Sequence, residues 1–174
     1  EDLEEAFFDG GTEYSFLSES GQRMWFELAH RAISGRWIRL DKEPKTEDLI
    51  DNSQLIPNTF VKVLSPEDNL LQVSIHTAKH SYVREPGFRL HLDVDRIVSR
   101  LNIDWDLFLK KVDVVGSKTA VYFSLYLSKM LFDTKIPDHV LKVLRPTKSK
   151  EKKVLHMIEK KGIMEPEEAK FSQF

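Results

Sequence analysis

A chain of 174 residues is long enough to bury a core, as one domain or one domain with a lobe of a second. It has no cysteine, which excludes a disulfide framework and thiolate zinc sites and fits a reducing, cytoplasmic setting. The formal charge is -2 with both signs interspersed, so no global field draws in nucleic acid or an anionic membrane.

The first elements in chain order are two aromatic-rich runs, 13–17 and 23–29, separated by Ser18-Glu19-Ser20-Gly21-Gln22. That cluster forms turns, and its glycine takes positive φ, so the region reads as a β-hairpin. On the second strand Met24, Phe26 and Leu28 share one face; Trp25, Glu27 and Ala29 share the other. Residues 41–58 are polar and acidic, contain Pro44 and Pro57 and show little periodicity, which predicts a long loop.

Helices begin at Ser65-Pro66-Glu67-Asp68: a capping serine, a proline suited to the first helical position, and two acids at the positive end of the dipole. This helix should run to about Tyr82, before Pro86-Gly87. A second carries Leu90, Val94, Ile97 and Leu101 at spacings of four, three and four. A third starts after Asp104 and ends at Gly116; a fourth, 118–132, is apolar almost all round and should be central. The stretch 120–132 is broken by Ser124, Ser128 and Lys129 and is too short to cross a bilayer. Pro137-Asp138 opens a fifth helix and residues 150–161 form a sixth, whose lysine cluster also holds Glu151 and reads as a solvated face. The fold class is therefore α+β, a short antiparallel hairpin followed by a helical bundle, divided into residues 1–64 and a helical lobe, 65–174. No signal-peptide pattern opens the chain, and because it starts at Glu1 rather than Met we expect it to begin inside a longer parent protein.

Three polar residues fall where polarity is costly. His76 and His80 are one helical turn apart and share a face with Val73 and Val83. Asp93, three residues after Leu90 and four before Ile97, lies on an apolar stripe and needs a buried partner, since an unpaired charge there would cost several kcal/mol. Three readings stand: a structural pair in which one histidine donates to Asp93, a substrate-lining set of His76, His80 and Asp93, or a zinc site for a metal-dependent hydrolase. The segment His76-Thr77-Ala78-Lys79-His80 lacks the glutamate of the zinc-protease motif, and Lys79 would repel a cation. There is no Gly-x-Ser-x-Gly elbow and no glycine-rich phosphate loop.

Taken together, Trp25-Phe26-Glu27-Leu28-Ala29-His30-Arg31, Ser34-Gly35-Arg36-Trp37, residues 70–80, Leu90-His91-Leu92-Asp93-Val94-Asp95-Arg96-Ile97, Ile103-Asp104-Trp105-Asp106 and Ile136-Pro137 form a series. It resembles the distal two-thirds of the uncharacterised bacterial nucleotidyltransferase family of the DNA polymerase β superfamily, over roughly residues 14–146. Ala29 and His30 stand where that family usually has His and Trp. The Gly-Ser helix entry and Asp-x-Asp strand of polymerase β-like transferases do not precede the hairpin, and Asp93 and Asp95 diverge on a helix rather than supplying that motif.

The resemblance implies transfer of a nucleotidyl group from a nucleoside triphosphate to an unknown acceptor hydroxyl, assisted by Mg2+. Glu27 matches the third metal-binding carboxylate, which makes it the expected catalytic and metal-holding residue. Residues 1–64 would then end the transferase sheet, and the helical lobe would shape the acceptor side. By the same reading this stretch alone is not expected to catalyse. The competing expectation is a non-catalytic helical interaction module.

Overall fold

A computed structural model describes residues 11–29, 31, 33, 38–84 and 87–161. Strands β1 (Gly11–Leu17) and β2 (Arg23–Ala29) form an antiparallel hairpin in which Gly11 pairs with Ala29 and Leu17 with Arg23. Its turn is built as the sequence predicts. The Gly21 amide donates to the Ser18 carbonyl (2.9 Å), Gly21 takes φ 77°, and the Ser18 amide donates to the Gln22 carbonyl (2.9 Å). A glycine at that left-handed position closes a three-residue loop without a Cβ clash.

The register divides the hairpin into unlike faces. Tyr14, Phe16, Met24, Phe26 and Leu28 occupy one, and all are exposed. Glu13, Ser15, Arg23, Trp25 and Glu27 occupy the other, where the Arg23 guanidinium lies 5.9 Å from the Trp25 ring and donates to Ser15 Oγ (3.0 Å).

Residues 41–58, read from the sequence as a polar loop, contain more structure than that. A 3-10 turn (Leu40–Lys42) leads to helix α1 (Thr46–Asp51), and strands β3 (Gln54–Leu55) and β4 (Lys62–Val63) pair antiparallel. The weak periodicity hid α1 because the helix is short and buries one residue, Leu49. Ile33, Ile38 and Leu49 join the core, and Arg31 forms an ion pair with Glu43.

The body consists of α2 (Pro66–Lys79), α3 (Phe88–Arg100), α4 (Trp105–Val115), α5 (Lys118–Phe132), α6 (Asp138–Leu144) and α7 (Lys148–Lys161). As its composition predicts, α5 is central, packing against α2, α3, α4 and α6. Phe123, Val121 and Leu125 of α5 meet a core that includes Leu70, Leu71, Val94 and Phe108, all buried. Each such side chain contributes about 1.5–3 kcal/mol.

Capping joins the helices as well as ending them. Ser65 Oγ accepts from the Asp68 amide (3.2 Å) and donates to Asp68 Oδ2 (2.8 Å), while Asp68 Oδ1 takes the Lys111 ammonium of α4 at 2.7 Å. Glu67 Oε1 accepts from the Asp104 amide (2.8 Å), and Asp104 Oδ1 accepts from the Leu107 amide (3.0 Å). The two acids that open α2 thus also fasten α4, Glu67 at its start and Asp68 near its middle. Helix α2 stops at Lys79, short of Tyr82, because Ser81 (φ 54°) and Tyr82 (φ 67°) turn left-handed and bury the Tyr82 ring against Phe123. At the far end, Tyr122 of α5 donates to Glu151 Oε1 of α7, whose other oxygen takes Arg145 Nε at 2.9 Å.

Candidate functional site

The hairpin register places Glu13 directly opposite Glu27. Opposed residues of an antiparallel pair share a face, and two like charges there repel unless a cation or proton lies between them. Their side chains lie outside the described structure, so the pairing rests on the backbone ladder. Sequence reasoning singled out Glu27 and missed Glu13. The signal was present, since a loop centred on Ser20 with closing glycine Gly21 puts residue 13 across from residue 27. Of the residues that carried the resemblance, His30 and residues 34–37 lie outside the described residues.

His76 and His80 come together as their spacing requires, with ring centroids 4.6 Å apart and planes tilted by 60°. Both are half-buried. Burial first, then the neighbouring charges of His80 and Lys79, push the His76 pKa down to about 4, so this imidazole is neutral at pH 7. A neutral imidazole offers one donor and one acceptor, which suits lining a polar ligand.

Asp93 does not join them, and its expected burial is overturned: it is exposed. The buried arc of α3 runs through Leu90, His91, Val94 and Ile97, and position 93 lies about 100° from the centre of that arc. Spacing from Leu90 and Ile97 alone could not show on which side the arc continued. The buried polar residue of α3 is instead His91, fully enclosed, whose Nε2 donates to the Tyr82 carbonyl at 2.7 Å. Burial lowers its pKa against the opposing pull of the Tyr82 and Ser124 carbonyls. Its role is to satisfy the left-handed turn after α2, and its spacing to Val94 was the sequence signal overlooked. Among the described residues no three His, Asp or Glu side chains form a group able to hold a metal ion, so the zinc reading of His76, His80 and Asp93 has no geometric basis.

The sequence model of a family of uncharacterised nucleotidyltransferases matches residues 6–133, nearly three-quarters of the chain. The chain belongs to this nucleotidyltransferase family. The matched stretch takes in both faces of the hairpin, the histidine pair and helices α2 to α5, and ends at Asp133, the left-handed cap of α5. No curated protein and no solved structure matches the chain. No helix among the described residues is long and apolar enough to cross a membrane. Among the described residues, the hairpin face on which Glu13 stands opposite Glu27 and the neutral His76 beside His80 are two features with usable chemistry.

Proposed function

We propose that this chain serves nucleotidyl transfer from a nucleoside triphosphate to an acceptor hydroxyl, with Glu27 as a metal-holding carboxylate and the helical lobe on the acceptor side. The observation that carries this reading is the opposition of Glu13 and Glu27 within the family-matched stretch.

Magnesium takes hard oxygen ligands and is commonly held by one or two carboxylates together with substrate phosphates and water. Two acids opposed on one strand pair fit that donor set; the remaining oxygens would come from the triphosphate, from water and from acids beyond this hairpin. When bound, the ion would neutralise phosphate charge. The chain's own residues do the rest. Glu13 and Glu27 fix where that charge is held, and Arg23, kept over Trp25 on the same face, adds a cation for phosphate oxygens. His76 and His80 line the acceptor side, where a neutral His76 accepts a proton without adding a second positive charge in the ground state.

Manganese, standing in for magnesium, tests the site by water-proton relaxation. Binding should weaken about tenfold in Glu27→Gln and in Glu13→Gln, the loss of one charged ligand. In any nucleotidyl transfer that the protein supports, Glu27→Gln should lower kcat far more than it changes KM. Manganese binding and turnover equal to wild type in Glu27→Gln would assign the role to another acid.

A further inference from the structure

A cavity of about 270 Å3 opens where the end of α2, the start of α5 and the start of α7 meet. Its walls include Ala78, Tyr82 and Phe123 on the apolar side and Ser117, Thr119 and Lys150 on the polar side. No carboxylate is among its lining residues. Electrically, then, the cavity is positive: it combines the Lys150 ammonium with the N-terminal end of the fifteen-residue helix α5.

Two features leave that positive end without partners. Ser117 stands at the N-cap of α5, yet its side chain makes no capping bond, and the first backbone bond of the helix runs from the Val121 amide to the Ser117 carbonyl (3.0 Å). The amides of Lys118, Thr119 and Ala120 therefore donate to no acceptor among the described residues. Independently, Ser117 is 2% exposed and its hydroxyl meets no hydrogen-bond partner. A buried hydroxyl without a partner is uncommon and destabilising. Lys118 pairs with Asp113, and Glu151, next to Lys150 in sequence, is committed to Tyr122 and Arg145. Lys150 forms no ion pair among the described residues.

We infer that this cavity is a binding site for a small phosphomonoester with a compact apolar body. The phosphate would take the open amides of the first turn of α5, the hydroxyls of Thr119 and Ser117 and the Lys150 ammonium. The apolar body would lie against Ala78, Tyr82 and Phe123. A phosphate has three terminal oxygens for these converging donors, where a carboxylate has two, and it carries more charge. The site uses neither the hairpin acids nor the histidine pair, so it stands or falls apart from the transfer chemistry.

The test is amide chemical-shift titration of the full chain with phenyl phosphate, inorganic phosphate and benzoate. Phenyl phosphate should shift the Lys118, Thr119 and Ala120 amides saturably, inorganic phosphate should shift the same amides more weakly, and benzoate should bind about tenfold less tightly than phenyl phosphate. Lys150→Gln, a change at an exposed side chain that leaves the core intact, should weaken phenyl phosphate about tenfold. Thr119→Val gives a second reading by removing one donor. Absence of saturable shifts at these amides, affinity unchanged in Lys150→Gln, or benzoate binding as tightly as phenyl phosphate would each overturn the proposal.

Discussion

His76 illustrates how one side chain's surroundings set a property of the whole protein. Its imidazole binds a proton near pH 6.5 in the unfolded chain but only near 4 when folded, because burial and the adjacent His80 and Lys79 disfavour the cation. Between those values the unfolded state holds more protons. The stability linked to His76 is therefore complete above about pH 6.5 and is lost as pH falls toward 4; buried His91 acts in the same direction. Urea midpoints of wild type should fall more steeply than those of His76→Gln from pH 7 to pH 4, and parallel curves would show that His76 does not titrate as described. Asp93 gives the opposite case. Because it is exposed on α3, Asp93→Ala should change stability by no more than about 0.5 kcal/mol. A loss near 3 kcal/mol on denaturant unfolding would restore the buried partner that its place between Leu90 and Ile97 suggested.

Helices here are held through their ends as much as through their faces. Glu151 is buried, takes the Tyr122 hydroxyl of α5 and the Arg145 guanidinium beyond α6, and so joins three successive elements. Those two partners hold its carboxyl below the usual range, Arg145 most of all. Glu151→Ala should cost about 1–3 kcal/mol, since it leaves the Tyr122 hydroxyl without an acceptor. Hydrogen exchange should then show faster opening of α7 with little change in α3. Uniform acceleration over every helix would mean that α7 is not a separately fastened element. Other end contacts were partly legible beforehand: Ser65-Pro66-Glu67-Asp68 announced the start of α2. That Glu67 would also receive the Asp104 amide, 37 residues away, was not legible, because no local rule pairs the starts of two helices.

At the scale of the molecule, apolar surface is unevenly distributed. The helical body encloses most of its large apolar side chains, Phe108 and Phe123 among them, whereas one face of the hairpin shows Tyr14, Phe16, Met24, Phe26 and Leu28 together to solvent. Among the described residues the hairpin has no third strand, so both strands also present unpaired backbone groups. A two-stranded ribbon is marginal in isolation, and an apolar face beside open edges promotes association. Sedimentation should show mass rising with protein concentration, and Phe16→Lys or Phe26→Lys should suppress that rise. A monomer across the accessible range would show that the face stays exposed without consequence.

The sequence by itself determined what depends on neighbours along the chain. Gly21 set the hairpin turn, Asp104 and Gly116 marked the two ends of α4, and the nearly all-apolar run of α5 announced a central helix. It also brought His76 beside His80, since four residues make about one helical turn. Only the tertiary structure decided which arc of α3 turns inward, sending His91 into the core and leaving Asp93 in solvent. Each residue has a fixed angle around its helix axis, but the direction of the core is set by the helices packed against it, and those are distant in sequence. The same reason hid the cavity at the start of α5, whose Lys150 and Tyr82 arrive from α7 and from the end of α2.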